Sequence, residues 1–120
     1  MTKGKLTVYQ YPPCGTCRSA VKWLQGRGYE LELHNLWEEA PSVDQLRKWI
    51  PLSGLPVQKW FNVSGDAYRE LGLKDKIPGM SDEEKMAVLA SNGRLVKRPV
   101  VTDGRKVTVG FKEETYEAEW

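Results

Sequence analysis

The sequence is poor in the side chains that most often carry chemistry: it holds one histidine and two cysteines in 120 residues. A structural zinc site takes four ligands, and two thiols with a single imidazole, His34, do not supply them. Long apolar runs are also missing. None approaches the length of a membrane span, and the N-terminus lacks the hydrophobic stretch of a secretory leader, so a cytoplasmic chain is expected. Charge of one sign is lacking too, because 18 Lys and Arg against 16 Asp and Glu leave only +2. That is too little to point to direct nucleic-acid binding or to an anionic membrane surface. Repeats, low-complexity tracts and linkers are absent, so residues 1–120 read as a single domain with one core.

What is present is a Cys-x-x-Cys at a strand-to-helix junction. The stretch runs Leu6-Thr7-Val8-Tyr9-Gln10-Tyr11-Pro12-Pro13-Cys14-Gly15-Thr16-Cys17-Arg18. Cysteines three apart at a helix start can close a disulfide with little chain movement. The first-turn amides have no intrahelical partners and carry the positive end of the helix dipole, so they favour an anion. Cys14 is therefore expected to ionise more readily than an ordinary thiol. The chemistry this implies is thiol–disulfide exchange, with Cys14 attacking and Cys17 resolving. A cytosolic pair of this kind is kept reduced between turnovers. Gly15 and Thr16 supply amides beside the sulfur, and Gly15 leaves room for a second sulfur to approach. His34, at the end of a probable strand, reads as an ordinary partly exposed histidine, and Arg18 as an exposed residue of the first turn.

The rest of the chain reads as alternating elements. Leu6–Tyr11 is β-prone and stops at Pro12-Pro13. From Gly15, the residues Cys17, Ala20, Val21 and Leu24 fall on one helical face until Gly26 and Gly28. Glu30–His34 alternates as a half-buried strand, parallel to the first. In the middle, Ser42 with Gln45 and Ser81 with Glu84 form capping boxes. Pro51 and Gly54 are expected to end the first of these helices, and Asn92-Gly93 the second. Between them lie a short segment over 57–61 and a helix capped by Ser64 and closed by Gly72. Pro99–Thr102 and Lys106–Val109 flank Asp103-Gly104, a two-residue hairpin signal. A last helix covers Lys112–Glu119. Strand–helix–strand, then helices, then strand–strand–helix is the order of an α/β, thioredoxin-like fold with a helical insertion over about 41–93.

Several pieces resemble, in order, the arsenate reductase (ArsC)-like family, in particular its Spx-type and YffB/YusI-type branches. They are Tyr11–Arg18, Phe61-Asn62-Val63-Ser64-Gly65, Tyr68–Leu73, Leu95–Val101 and Val109-Gly110-Phe111. The resemblance implies that Pro99 is a cis-proline facing the active cysteine, with neighbouring backbone left to pair with an extended substrate. It also implies an arginine cluster in members that reduce arsenate. Arg98 matches one of those arginines, whereas the other two fall near Asn62, which is neutral, and Lys112, a point charge. An oxyanion site loses its planar, bidentate donors by these changes, even with Lys97 nearby. Arsenate-reducing members also take glutathione as resolving thiol, where this chain has Cys17.

Two functions follow from the resemblance. One is a thiol–disulfide oxidoreductase with no bound cofactor, using glutathione or another low-molecular-weight thiol as co-substrate and acting as a monomer. In it Arg98 lowers the Cys14 pKa or holds a carboxylate, and Gly15, Thr16, Asn62 and Pro99 line the substrate site. The other is a redox-sensing regulator that binds the RNA polymerase α-subunit. Spx-type chains continue into a basic tail, whereas this sequence closes on the acidic stretch Glu117-Ala118-Glu119-Trp120, which favours the enzyme.

Overall fold

A computed structural model describes residues 3–120. The chain divides into two compact units: one runs to Asn35 and resumes over Arg98–Trp120, and the other is Leu36–Lys97.

The first unit contains β1 (Gly4–Gln10), α1 (Gly15–Gly26), β2 (Tyr29–Asn35), β3 (Val100–Thr102), β4 (Val107–Val109) and α6 (Glu113–Glu119). Its sheet order is β2-β1-β3-β4. β1 runs parallel to β2, with Leu6 beside Leu31 and Val8 beside Leu33, and antiparallel to β3, with Val8 opposite Val101. The period-two alternation of β1 puts Leu6, Val8 and Gln10 on its buried side. There Leu6, Val8 and Val101 share one core with Ala20 and Leu24 of α1 and with Tyr116 and Trp120. The helical spacing expected for α1 buries Cys17, Ala20 and Leu24, the last two in that core, while Val21 packs half-buried against it. At its end, the Gly28 amide bonds the Gln25 carbonyl and Gly28 takes φ +91°, which a side chain would resist.

The turn between β3 and β4 differs from the expected two-residue loop. Thr102 pairs with Val107, so residues 103–106 all belong to the turn. One Asp103 carboxylate oxygen accepts from the Arg105 and Lys106 amides, at 2.8 Å each. The Thr102 hydroxyl accepts from the Gly104 amide at 3.0 Å and donates to the Lys106 carbonyl at 2.8 Å. These side chains satisfy a longer loop that the Asp-Gly pair alone does not announce.

The second unit holds α2 (Val43–Ser53), α3 (Asp66–Glu70), α4 (Leu73–Lys76) and α5 (Asp82–Ser91), joined by short 3-10 turns at Val57–Trp60, Ile77–Gly79 and Gly93–Leu95. It extends beyond the expected 41–93 at both ends, because Leu36 packs against Gly93, and the Asn62 and Lys97 amides bond the Leu95 and Trp60 carbonyls. Both capping boxes are closed in both directions, at Ser42–Gln45 and Ser81–Glu84. Two expectations are corrected. Pro51 lies inside the last turn of α2, which ends only at the left-handed Gly54, whose amide donates to the Pro51 carbonyl at 3.2 Å. Gly65, not Ser64, caps α3. Gly65 sits close under the Asn62 side chain, whose nitrogen a Cβ would meet at 2.6 Å, and the Ser64 hydroxyl donates to the Asn62 amide oxygen at 3.4 Å and not to α3. The core of this unit gathers Leu46, Trp49, Ile50, Trp60, Met86 and Leu89, all buried. Trp49 and Trp60 stack at 6.5 Å, and the Trp60 indole N–H donates to Ser53 Oγ at 3.2 Å.

Candidate dithiol site

The site grows out of the way β1 stops and α1 starts. Beyond Gln10 the chain turns through Pro12-Pro13, and the Cys14 amide donates to the Tyr11 carbonyl at 2.9 Å. Cys14 is the residue before the first helical one, with φ −74° and ψ 124°, and the first turn carries no acidic side chain. Serine or aspartate usually sits at such a position with its oxygen on the free amides. The larger sulfur makes no regular capping hydrogen bond; the Cys17 and Thr16 main-chain N–H groups act on it as weaker donors.

Both thiols are free. Partial burial pushes the Cys14 thiol up, but four donors outweigh that cost and hold it below the ordinary value of 9.0. They are the Cys17 amide, the Cys17 S–H, the Arg98 guanidinium and the Thr16 amide. Cys17 goes the other way. Burial is the main cause, the charge on Cys14 adds to it, and the thiol is pushed up to about 12. The surroundings thus favour the anion at one sulfur, while its neighbour, which donates to it, is held as a thiol.

Arg98 reaches this place from the other end of the chain, immediately before β3. The Arg98–Pro99 peptide is cis, and Pro99 is buried with its carbonyl accepting from the Gly110 amide at 2.9 Å. The guanidinium carbon stands 5.7 Å above the centre of the Tyr11 ring, a distance at which a cation is attracted to the ring face. Tyr11 therefore serves both partners: its carbonyl fixes the Cys14 amide and its ring lies under Arg98. The sequence reading included Tyr11 in its motif but gave it no role, since nothing local pairs it with a residue so remote in sequence. A Cβ on Gly15 would meet no atom within 4 Å, so the space beside Cys14 is open.

The structure thus gathers Cys14, Gly15, Thr16, Cys17, Arg98 and Pro99 in one unit. Asn62 lies in the other unit, half-buried, its side chain engaged with the Ser64 hydroxyl. Lys112 is exposed at the start of α6. His34 stacks on Tyr9 at 4.8 Å and meets the Glu32 carboxylate at 3.0 Å, and no cluster of metal-ligating side chains occurs among the described residues.

A four-stranded sheet that pairs a parallel β1–β2 with an antiparallel β1–β3–β4, together with a dithiol at the start of α1 and a cis peptide just before β3, defines a thioredoxin-like protein. Within that class the chain belongs to the ArsC family, whose model matches residues 9–119. It is 51% identical to the protein YusI of Bacillus subtilis over 96% of this chain and 98% of that one. It is 25% identical to the global transcriptional regulator Spx of Lactiplantibacillus plantarum, covering 89% of this chain and 80% of that one. A crystal structure of an ArsC family related protein from Bacteroides fragilis superposes with a TM-score of 0.91 at 50% identity, covering 94% and 95% of the two chains.

Proposed function

We propose that the chain is a thiol–disulfide oxidoreductase in which Cys14 attacks and Cys17 resolves. The observation that carries this reading is a pair of free thiols within one helical turn, Cys14 at the helix start beside free amides and Arg98 and Cys17 fully buried, environments that lower the first pKa and raise the second. The Cys14 thiolate attacks one sulfur of a disulfide, forming a mixed disulfide and expelling the other half as a thiolate. That step removes the charge on Cys14, and with it the repulsion and the hydrogen bond that favour the neutral form of Cys17. Arg98 then acts on Cys17 alone and lowers its pKa. Cys17 gives up its proton to solvent and attacks the Cys14 sulfur, releasing the second thiolate and leaving a Cys14–Cys17 disulfide. Two equivalents of a low-molecular-weight thiol such as glutathione return it to the dithiol. The order of events is thus written into the pair, because Cys17 is inert until Cys14 has reacted. Pro99 and the open side of Gly15 border the space the incoming sulfur enters. Arsenate is the weaker substrate, since Asn62 and Lys112 replace planar cations by a neutral amide and a point charge.

The resemblance to Spx favours a second reading, in which the same disulfide resets the start of α1 and thereby a surface that binds the RNA polymerase α-subunit. Trapping separates the two. A Cys17→Ser chain in cell extract is expected to retain small thiols or protein partners in mixed disulfides on Cys14, absent from a Cys14→Ser control. No covalent partner, with RNA polymerase retained by the wild-type chain only in one redox state, would overturn the enzyme in favour of the regulator.

A further inference from the structure

An open cleft of about 630 Å³ runs along the exposed side of α1, within the size range of small-ligand sites. Its near end is formed by Pro12 and Gly15, which bracket Pro13 and Cys14. Its length is lined by Arg18, Ser19, Lys22 and Gln25, which follow Gly15 at helical spacing, so the strip extends about 15 Å at 1.5 Å per residue. Gln10, buried at the end of β1, adds an amide to the wall. No acidic side chain lines it. Arg18 and Lys22 stand one turn apart on the same face, and neither forms an ion pair among the described residues. By contrast Arg27, just past the end of that helix, is engaged with Glu117 and stacked on Trp23. A pair of cations, two amides and a hydroxyl, on a strip that begins at Gly15, the residue after Cys14, form a site for an extended anion.

We propose that this cleft seats the carboxylate-bearing arm of a small disulfide substrate whose sulfur meets Cys14, with Arg18 and Lys22 pairing its carboxylates. The proposal rests on the oxidoreductase reading and specifies its substrate class. Arg18, an ordinary exposed residue by sequence, becomes a specificity determinant.

The test compares two probes that differ in charge: dithiobis(nitrobenzoate), which carries carboxylates, and dithiodipyridine, which is neutral. Stopped-flow rates with each are measured for the wild-type chain, for Arg18→Gln/Lys22→Gln, and for Lys74→Gln/Lys76→Gln, which removes the same charge elsewhere. The anionic-to-neutral rate ratio is expected to fall about tenfold in the first variant, about threefold per cation, and to stay within about twofold in the second. For the wild-type chain the same ratio should drop as salt is raised, a readout that needs no variant. A ratio unchanged in Arg18→Gln/Lys22→Gln, or lowered equally by both variants, overturns the cleft while leaving thiol exchange intact. A wild-type chain inert to both probes overturns the cleft and the oxidoreductase reading together.

Discussion

Alkylation of the folded, reduced chain at pH 8 is expected to mark Cys14 and spare Cys17. The size of the preference follows from the two environments. With its pKa at about 12, Cys17 is ionised to roughly one part in ten thousand at that pH, while its donors hold the Cys14 thiol below the ordinary value. A more basic thiolate is a better nucleophile, but with a Brønsted slope of about 0.4–0.5 each unit of pKa returns only about threefold against the tenfold it costs in thiolate. The preference therefore stays with Cys14, by more than about tenfold, and full burial of Cys17 adds to it. Timed labelling with iodoacetamide, quenched and read by peptide mass spectrometry, gives both rates in one experiment. Labelling of the two cysteines at rates within threefold of each other would refute the reasoning, because it would mean that Cys17 is neither shielded nor held neutral.

Arg98→Met removes one donor from the Cys14 thiolate. At a partly exposed site, such a charge-assisted bond is worth about 1 kcal/mol after screening, so the midpoint of Cys14 alkylation against pH should rise by a little under one unit. Tyr11→Leu withdraws the ring under Arg98 and should move the same midpoint upward by a smaller amount, with Tyr11→Phe restoring it; an identical midpoint in Tyr11→Leu would show that the ring does not hold the guanidinium. Gly93→Ala would place a Cβ 1.6 Å from the Leu36 carbonyl oxygen, where backbone must move. It should lower unfolding stability in urea by about 3 kcal/mol or more, and a loss under 1 kcal/mol would contradict that packing. Ser81→Ala removes the cap of α5 and should cost about 1 kcal/mol in the same assay, with Ser81→Asp recovering most of it.

What could be read from the sequence was what is decided locally. The capping boxes at Ser42 and Ser81, the left-handed Gly54 and Gly72, and the alternation that buries Leu6 and Val8 each depend on residues within a few positions. So does the helix start that exposes Cys14 to free amides. Features decided by approach between distant groups were hidden. Gly65 caps α3 in place of Ser64, whose hydroxyl is turned to the Asn62 side chain and not to the helix amides. Residues 103–106 form one loop because Thr102 and Asp103 take up its amides, which the Asp-Gly pair does not reveal. Arg98 could be assigned to the site only through the family resemblance, and its ring partner Tyr11 not at all, since the two meet only after β1 and β3 have paired. The basic strip of α1 was present as Arg18 and Lys22, but charges at helical spacing look the same on a solvated face as in a cleft.

The claim that Cys14 attacks and Cys17 resolves is tested most directly by counting leaving groups. Excess dithiodipyridine at pH 7 should release two equivalents of thiopyridone from each wild-type chain, the second following the first as the internal disulfide closes. The Cys17→Ser chain should release one and keep a stable adduct on Cys14. A wild-type chain that retains its adduct, or a Cys14→Ser chain that reacts at the wild-type rate, would contradict the account.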